Sequence, residues 1–155
     1  MTDTNGNSEA RIGWGTGFYI ANASGVLVEI DEVTGLPEGD ETADDVEVTH
    51  YKSRGRRKEY IAGLIDAGEG DLVINYVPGS PTDTLLREMH QSGQTRAFRD
   101  ITNEEVGEDM WQVEGFLYIR SRSRARPIGD RMQVTYGVRF TGPREEGEYT
   151  APATP

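Results

Sequence analysis

The 155-residue sequence contains no cysteine. No disulfide framework therefore holds the fold, and thiolate chemistry is closed to it. A cysteine-free chain tolerates either redox state, so this absence leaves the compartment open. No run approaches the roughly 18 apolar residues of a membrane-spanning helix. The polar start, Met1 to Ala10, holds no apolar stretch of the kind a secretory signal needs. The chain is expected to be soluble, cytoplasmic when made, and without a membrane partner. Positive charge is scarce: 16 Lys and Arg stand against 27 Asp and Glu, for a formal net charge of −11. Sequence-independent affinity for nucleic acid comes from cationic side chains that release phosphate counterions. The balance argues against a protein that grips DNA, and fits one that touches DNA without adhering. Histidine is reduced to His50 and His90.

What is present reads as β-rich. Hydrophobic residues make up 35% of the chain, with 19 glycines and 7 prolines, which is lean for a helical protein and ordinary for strands joined by turns and exposed loops. Thr16–Ala21 and Val26–Val33 are expected strands, the second with Val26, Val28 and Ile30 on one face, and Asn22–Gly25 is the hairpin turn between them. Residues 34–45, rich in Gly, Pro and acid, read as a loop. Val46–Tyr51 alternates again, and Lys52–Gly63 has no clear period. Leu72–Val77, Thr95–Ile101, Met110–Arg120 and Arg131–Thr141 complete the strands, the last a clean period-2 segment through Val134, Tyr136, Val138 and Phe140. One helix is expected within Ser80–Gly93: Ser80 suits the N-cap, Pro81 the first position, Asp83 the first turn and Gly93 the C′ position. Residues 1–11 and 143–155 are expected to be coil and flexible, since such polar tails bury too little to offset their ordering entropy. The length suits one domain. No strand–helix–strand unit repeats, so the expected class is mainly β (α+β): an antiparallel sandwich or barrel with one flanking helix, about 81–92, and a long loop, about 37–68.

Charge is laid down in blocks. Between Ile12 and Tyr51 lie nine acids and no Lys or Arg, after which Lys52, Arg54, Arg56, Arg57 and Lys58 follow at once. Arg120, Arg122, Arg124 and Arg126 alternate, and a strand extended past Ile119 would put them on one face with Glu114 and Tyr118. With Phe116 and Tyr118 nearby, that run carries a weak nucleic-acid signal; docking on an acidic neighbour or plain exposure is the better reading. His50 and His90 match no ligand or triad spacing, so neither metal nor catalytic residues are assigned. Asp44, Asp45 and Glu47 lack the alternation around a glycine that a calcium loop requires. Gly13-Trp-Gly-Thr-Gly17 resembles a phosphate loop only superficially, because a strand follows it where a helix is needed. No cofactor is expected.

The stretch Asp45-Val-Glu-Val-Thr-His50, a basic loop, then Tyr60-Ile-Ala-Gly-Leu-Ile-Asp66-Ala-Gly68 resembles a recurring pattern of lambda-type phage tail tube proteins. Gly13–Ile20 resembles the family's opening strand, Gly35-Leu36-Pro37 its turn before the long loop, Val113–Leu117 its Gly-containing strand, and Val134–Phe140 its closing strand. The likeness runs in order over about residues 12–143, and gene transfer agents use similar tubes. Some relatives carry an immunoglobulin-like second domain, where this sequence runs into a Pro-rich tail.

The resemblance implies a tail tube fold and a structural, non-enzymatic subunit of a long non-contractile tail. Hexameric rings would stack around a tape-measure protein, meet tail terminator and distal tail proteins, and pass DNA through the lumen without binding it specifically. The subunit would lie in the virion tail, after assembly in the host cytoplasm. By matching position, the subunit interface would include Asp45, Val46, Val48, His50, Arg54, Arg56, Arg57, Tyr60, Ile61, Leu64 and Asp66. An acidic channel wall would repel DNA over about 8 Å at physiological salt, which makes Glu29, Asp31, Asp71 and Glu114 lumen candidates. Two other classes compete: a monomeric β-barrel module holding a small ligand, and a small hydrolase built on His50 or His90 with a carboxylate.

Overall fold

The computed structural model describes residues 10–150. β1 (Gly17–Ala21) turns back into β2 (Leu27–Glu29), and the turn is held by the Asn22 side chain, whose Oδ1 accepts from the backbone N–H groups of Ser24 and Val26. The expected single strand Val26–Val33 is broken. Val26 is 60% exposed while Ile30 drops into the core, and Glu32 takes a positive φ of 63°. A separate strand, β3 (Val33–Gly35), starts on the opposite margin of the sheet. The chain must cross between the two margins here, and the Asp31 N–H donates to Thr82 Oγ1 on the way.

The expected long loop is a β-hairpin. β4 (Thr42–Glu47) pairs antiparallel with β5 (Tyr60–Asp66), and a single 3-10 turn, Arg54–Arg56, lies in the connection. The strand Val46–Tyr51 therefore sits earlier than its alternation suggested. No residue of β4 or β5 is buried. A hairpin exposed on both faces has no need of period-2 patterning, which is why the sequence hid it.

β6 (Glu69–Asn75), α1 (Pro81–Ser92), β7 (Arg96–Thr102), β8 (Trp111–Ala125) and β9 (Gln133–Glu148) follow. The helix is the one the caps specify. Ser80 Oγ accepts from the Asp83 N–H, Gly93 is left-handed at φ 69°, and its N–H donates to the Met89 carbonyl. Seven strands form one antiparallel sheet in the order β2-β1-β7-β8-β9-β6-β3, and β4-β5 stands apart from it. The sheet curls over a core of Phe18, Ile20, Leu72, Ile74, Phe98, Leu117, Ile119, Val134, Tyr136, Val138 and Phe140, onto which α1 lays Leu86 and Met89.

Two further expectations fail. Residues 143–148 are not coil: β9 continues to Glu148 and pairs with Trp111–Glu114. Arg144 makes this possible by stacking its guanidinium 4.5 Å above the Phe140 ring and near Phe98. Residues 10–11 and 149–150 lie outside helices and strands, and residues 1–9 and 151–155 of the two expected tails lie outside the described residues. The four alternating arginines do not share a face. The β8–β9 register slips between Ile119 and Ser121, a β-bulge. Arg120 lies before the slip, on the face away from α1, where it pairs with Glu69. Past it, Arg122 and Arg124 stand opposite Tyr136 and Val134 on the α1 face. There Arg122 lies 3.5 Å from buried Asp83 and over the rings of Tyr76 and Tyr136.

Candidate functional site

Every interface candidate lies on or within the β4–β5 hairpin. Asp45 and Val46 are on β4; Val48, His50, Arg54, Arg56 and Arg57 are in the connection; Tyr60, Ile61, Leu64 and Asp66 are on β5. The pairing sets Val46 against Ile61 and Glu47 against Tyr60. A one-residue bulge around Gly63-Leu64 then shifts the register before Ala43 meets Ile65. Leu64 and Ile65 are 86% and 71% exposed. Apolar groups thus face water on both sides of a two-stranded hairpin, a unit that is marginal in isolation. Ile65, absent from the sequence candidates, belongs with them; its signal was the run Ile61–Ile65 with no buried partner to face.

The hairpin's base is anchored. The Asp66 carboxylate accepts from the Gly68 N–H and pairs with Arg139 at 2.8 Å, and both interactions hold its pKa below the usual range. Gly39 is required where the chain leaves the sheet, because a Cβ there would meet the Ala67 carbonyl and lie 2.8 Å from the Phe140 ring. At the tip, Ser53 Oγ donates to Glu59 at 2.7 Å, and His50 Nε2 lies 3.4 Å from the same carboxylate.

The sheet face opposite α1 collects three of the four lumen candidates. Glu29 stands opposite Tyr19, Glu114 opposite Arg99, and Asp71 opposite Gly137. Asp31 is excluded from this face; it sits beside the start of α1 with Ser80 and Thr82. The acids there are partly neutralised, since Arg99 Nε donates to Glu114 at 2.7 Å and Arg120 pairs with Glu69. Burial, then Glu104 and Asp31, raise the pKa of Glu29. Tyr19 donates to Glu104, and burial pushes its phenol well above the usual value.

Sequence reasoning missed a second cluster. A cleft of about 580 Å³ is lined by Glu38, Gly39, Asp40, Glu41, Arg144 and Glu146. Beside it, burial and the nearby Glu38 raise Asp100 to about 6, while Arg144 opposes the shift. These residues come from three separated segments, and none carries a local signal.

The remaining sequence suggestions do not assemble into chemistry. His50 is at the hairpin tip, whereas His90 is in the last turn of α1. Among the described residues, no three His, Asp or Glu side chains converge as a metal site. Gly13–Gly17 forms a bend in which Thr16 Oγ1 donates to the Gly13 carbonyl, and β1 follows directly. No helix of the described residues is long and apolar enough to cross a membrane.

Comparison with known proteins agrees with this architecture. A search of curated protein sequences finds no match. The fold is similar to a subunit in the tail of an empty gene transfer agent particle refined with C6 symmetry, with TM-score 0.66, 18% identity, and coverage of 88% of this chain and 98% of that one. It is also similar to a chain of the native gene transfer agent virion, with TM-score 0.67, 17% identity and coverage of 89% and 99%. A third likeness is to the SPP1 tail tube, with TM-score 0.60, 12% identity and coverage of 90% and 80%. The sequence itself matches the family described as lambda phage tail tube protein over residues 12–143. The chain belongs to that family and is a structural subunit of a phage-like tail tube.

Proposed function

We propose that copies of this chain close into hexameric rings that stack into a long non-contractile tube, a conduit for DNA that acts by assembly and not by catalysis. The observation that carries this is the β4–β5 hairpin, which exposes Val46, Tyr60, Ile61, Leu64 and Ile65 and finds nothing among the described residues of its own subunit to cover them. A second copy supplies what the hairpin lacks, and a head-to-tail contact repeated by rotation closes a ring while repetition along the axis builds a tube. The C6 symmetry of the similar gene transfer agent tail supports the ring size. The basic connection Lys52–Lys58 orients the hairpin against the acid block of another copy.

Within such a tube, the face bearing Glu29, Asp71 and Glu114 supplies acids that keep DNA from adhering, around a tape-measure protein. Terminator and distal tail proteins close the two ends. Assembly happens in the host cytoplasm. The clefts lined by polar and charged side chains give little support to a small-ligand barrel. Negative-stain microscopy of the purified protein tests the proposal: rings or stacked tubes are expected. A compact monomer at millimolar concentration that holds a specific small molecule would overturn it. Substituting Glu29, Asp71 and Glu114 by lysine should leave tubes intact and reduce DNA delivery.

A further inference from the structure

Both tryptophans of the chain stand at one end of the sheet and face water: Trp14 is 67% exposed and Trp111 44%. The pairing of Gly17 with Ile101 and of Thr102 with Trp111 brings their two segments to this end. The Glu105 N–H donates to the Gly15 carbonyl, and Arg11 pairs with Asp109 at 2.9 Å, so residues 11–15 lie along the connection from β7 to β8. That connection adds exposed Val106, and the segment before β1 adds exposed Ile12. Large apolar side chains from separate segments thus share one end of the subunit, a surface of the kind that marks a contact.

The described residues finish beside this surface. β9 pairs Glu148 with Trp111, and one residue on, the Tyr149 N–H donates to the Met110 carbonyl. Beyond Thr150 the sequence reads Ala151-Pro152-Ala153-Thr154-Pro155. A proline biases itself and the residue before it toward polyproline II, a helix of three residues per turn. Pro152 and Pro155 then fall on one face. Proline rings on such a face dock against aromatic side chains, and because the conformation is set before contact, little entropy is lost. The reach suffices: the five residues 151–155, at about 3.1 Å each, span roughly 16 Å. Trp111 lies one strand from β9, and β1, into which the Trp14 segment leads, lies three away, about 14 Å at the usual spacing. Charge favours this segment over residues 1–9. Glu105, Glu108, Asp109 and Glu148 belong to the same end of the sheet; residues 151–155 carry no charged side chain, whereas residues 1–9 include Asp3 and Glu9 and no proline. We infer that residues 151–155 lay Pro152 and Pro155 on the Trp14–Trp111 surface of their own subunit. The contact does not depend on the ring proposed above. It shields, in the free subunit, an apolar end that would otherwise favour indiscriminate association.

With no tryptophan elsewhere in the chain, indole fluorescence reports on this surface alone. The test is acrylamide quenching of the unassembled protein and of the double variant Pro152→Gly with Pro155→Gly. The quenching constant of the variant should be roughly twice that of the parent, because the indoles lose their cover. Pro127→Gly, in the β8–β9 connection at the far end of those strands, should match the parent. The parent's protection should hold unchanged across a dilution series, as a contact within one subunit requires. Equal quenching of parent and double variant overturns the inference, and so does a rise with Pro127→Gly as large as that of the double variant. Protection that appears only as rings form also overturns it, and assigns the surface to a second copy.

Discussion

Replacing Asp100 by asparagine should stabilise the free subunit at neutral pH. Asp100 lies on the core face of β7, beside Glu38 and Glu146, and burial lifts its pKa to about 6. A carboxyl raised above its unfolded value of roughly 3.9 binds its proton more tightly in the folded state. Stability is then highest below the unfolded pKa and is lost as pH climbs through about 6. Two pKa units correspond to about 3 kcal/mol at most, and solvent screening at this half-buried position reduces the expected effect to about 1–2 kcal/mol. Asparagine keeps the shape and removes the charge. Urea unfolding of both proteins between pH 4 and pH 8 should show the variant gaining on the parent as pH rises, with the difference level above pH 7. A variant less stable than the parent at pH 7.5, or a difference that does not change with pH, would refute the reasoning and show that the attraction of Arg144 for Asp100 outweighs burial.

Leu86→Ala empties a fully buried site on α1 and should cost about 2–5 kcal/mol in urea unfolding; a loss under 1 kcal/mol would mean the helix packs loosely on the sheet. Gly39→Ala should cost about 1–3 kcal/mol, because the new methyl collides with the Ala67 carbonyl and the Phe140 ring; unchanged stability would show that the hairpin base yields freely. Leu64→Ser with Ile65→Ser should shift subunit stability by no more than about 0.5 kcal/mol while abolishing tubes in the microscope; normal tubes would remove the hairpin from the interface.

The legible parts of the fold were those with local physics. Ser80, Pro81 and Gly93 specify the helix through backbone groups within a few residues of each, and β9 announces its core through Val134, Tyr136, Val138 and Phe140 on one face. The hairpin was legible as an assembly element only through family resemblance. Its strands bury nothing, so the alternation read at Val46–Tyr51 placed β4 too late, and the acids Asp44 and Asp45 looked like loop residues. The bulge at Arg120-Ser121 reversed the facing of Arg122 and Arg124, and alternation cannot foresee an inserted residue. Residues 143–148 were misread because a stretch of acids gave no hint that Arg144 would stack on Phe140. The break at Glu32 follows from where the chain must go next, which no window around Glu32 contains.

The isolation of β4 and β5 from the core has a kinetic consequence. In the proposed tube, a subunit gains its folding stability from the seven-stranded sheet and α1, so the entropy of fixing the hairpin falls on the moment of addition. The first few copies face that penalty with little contact to offset it, whereas a copy joining an established end meets a complete seat. Growth by this rule begins reluctantly and proceeds readily, with a lag that seeding with preformed ends should erase.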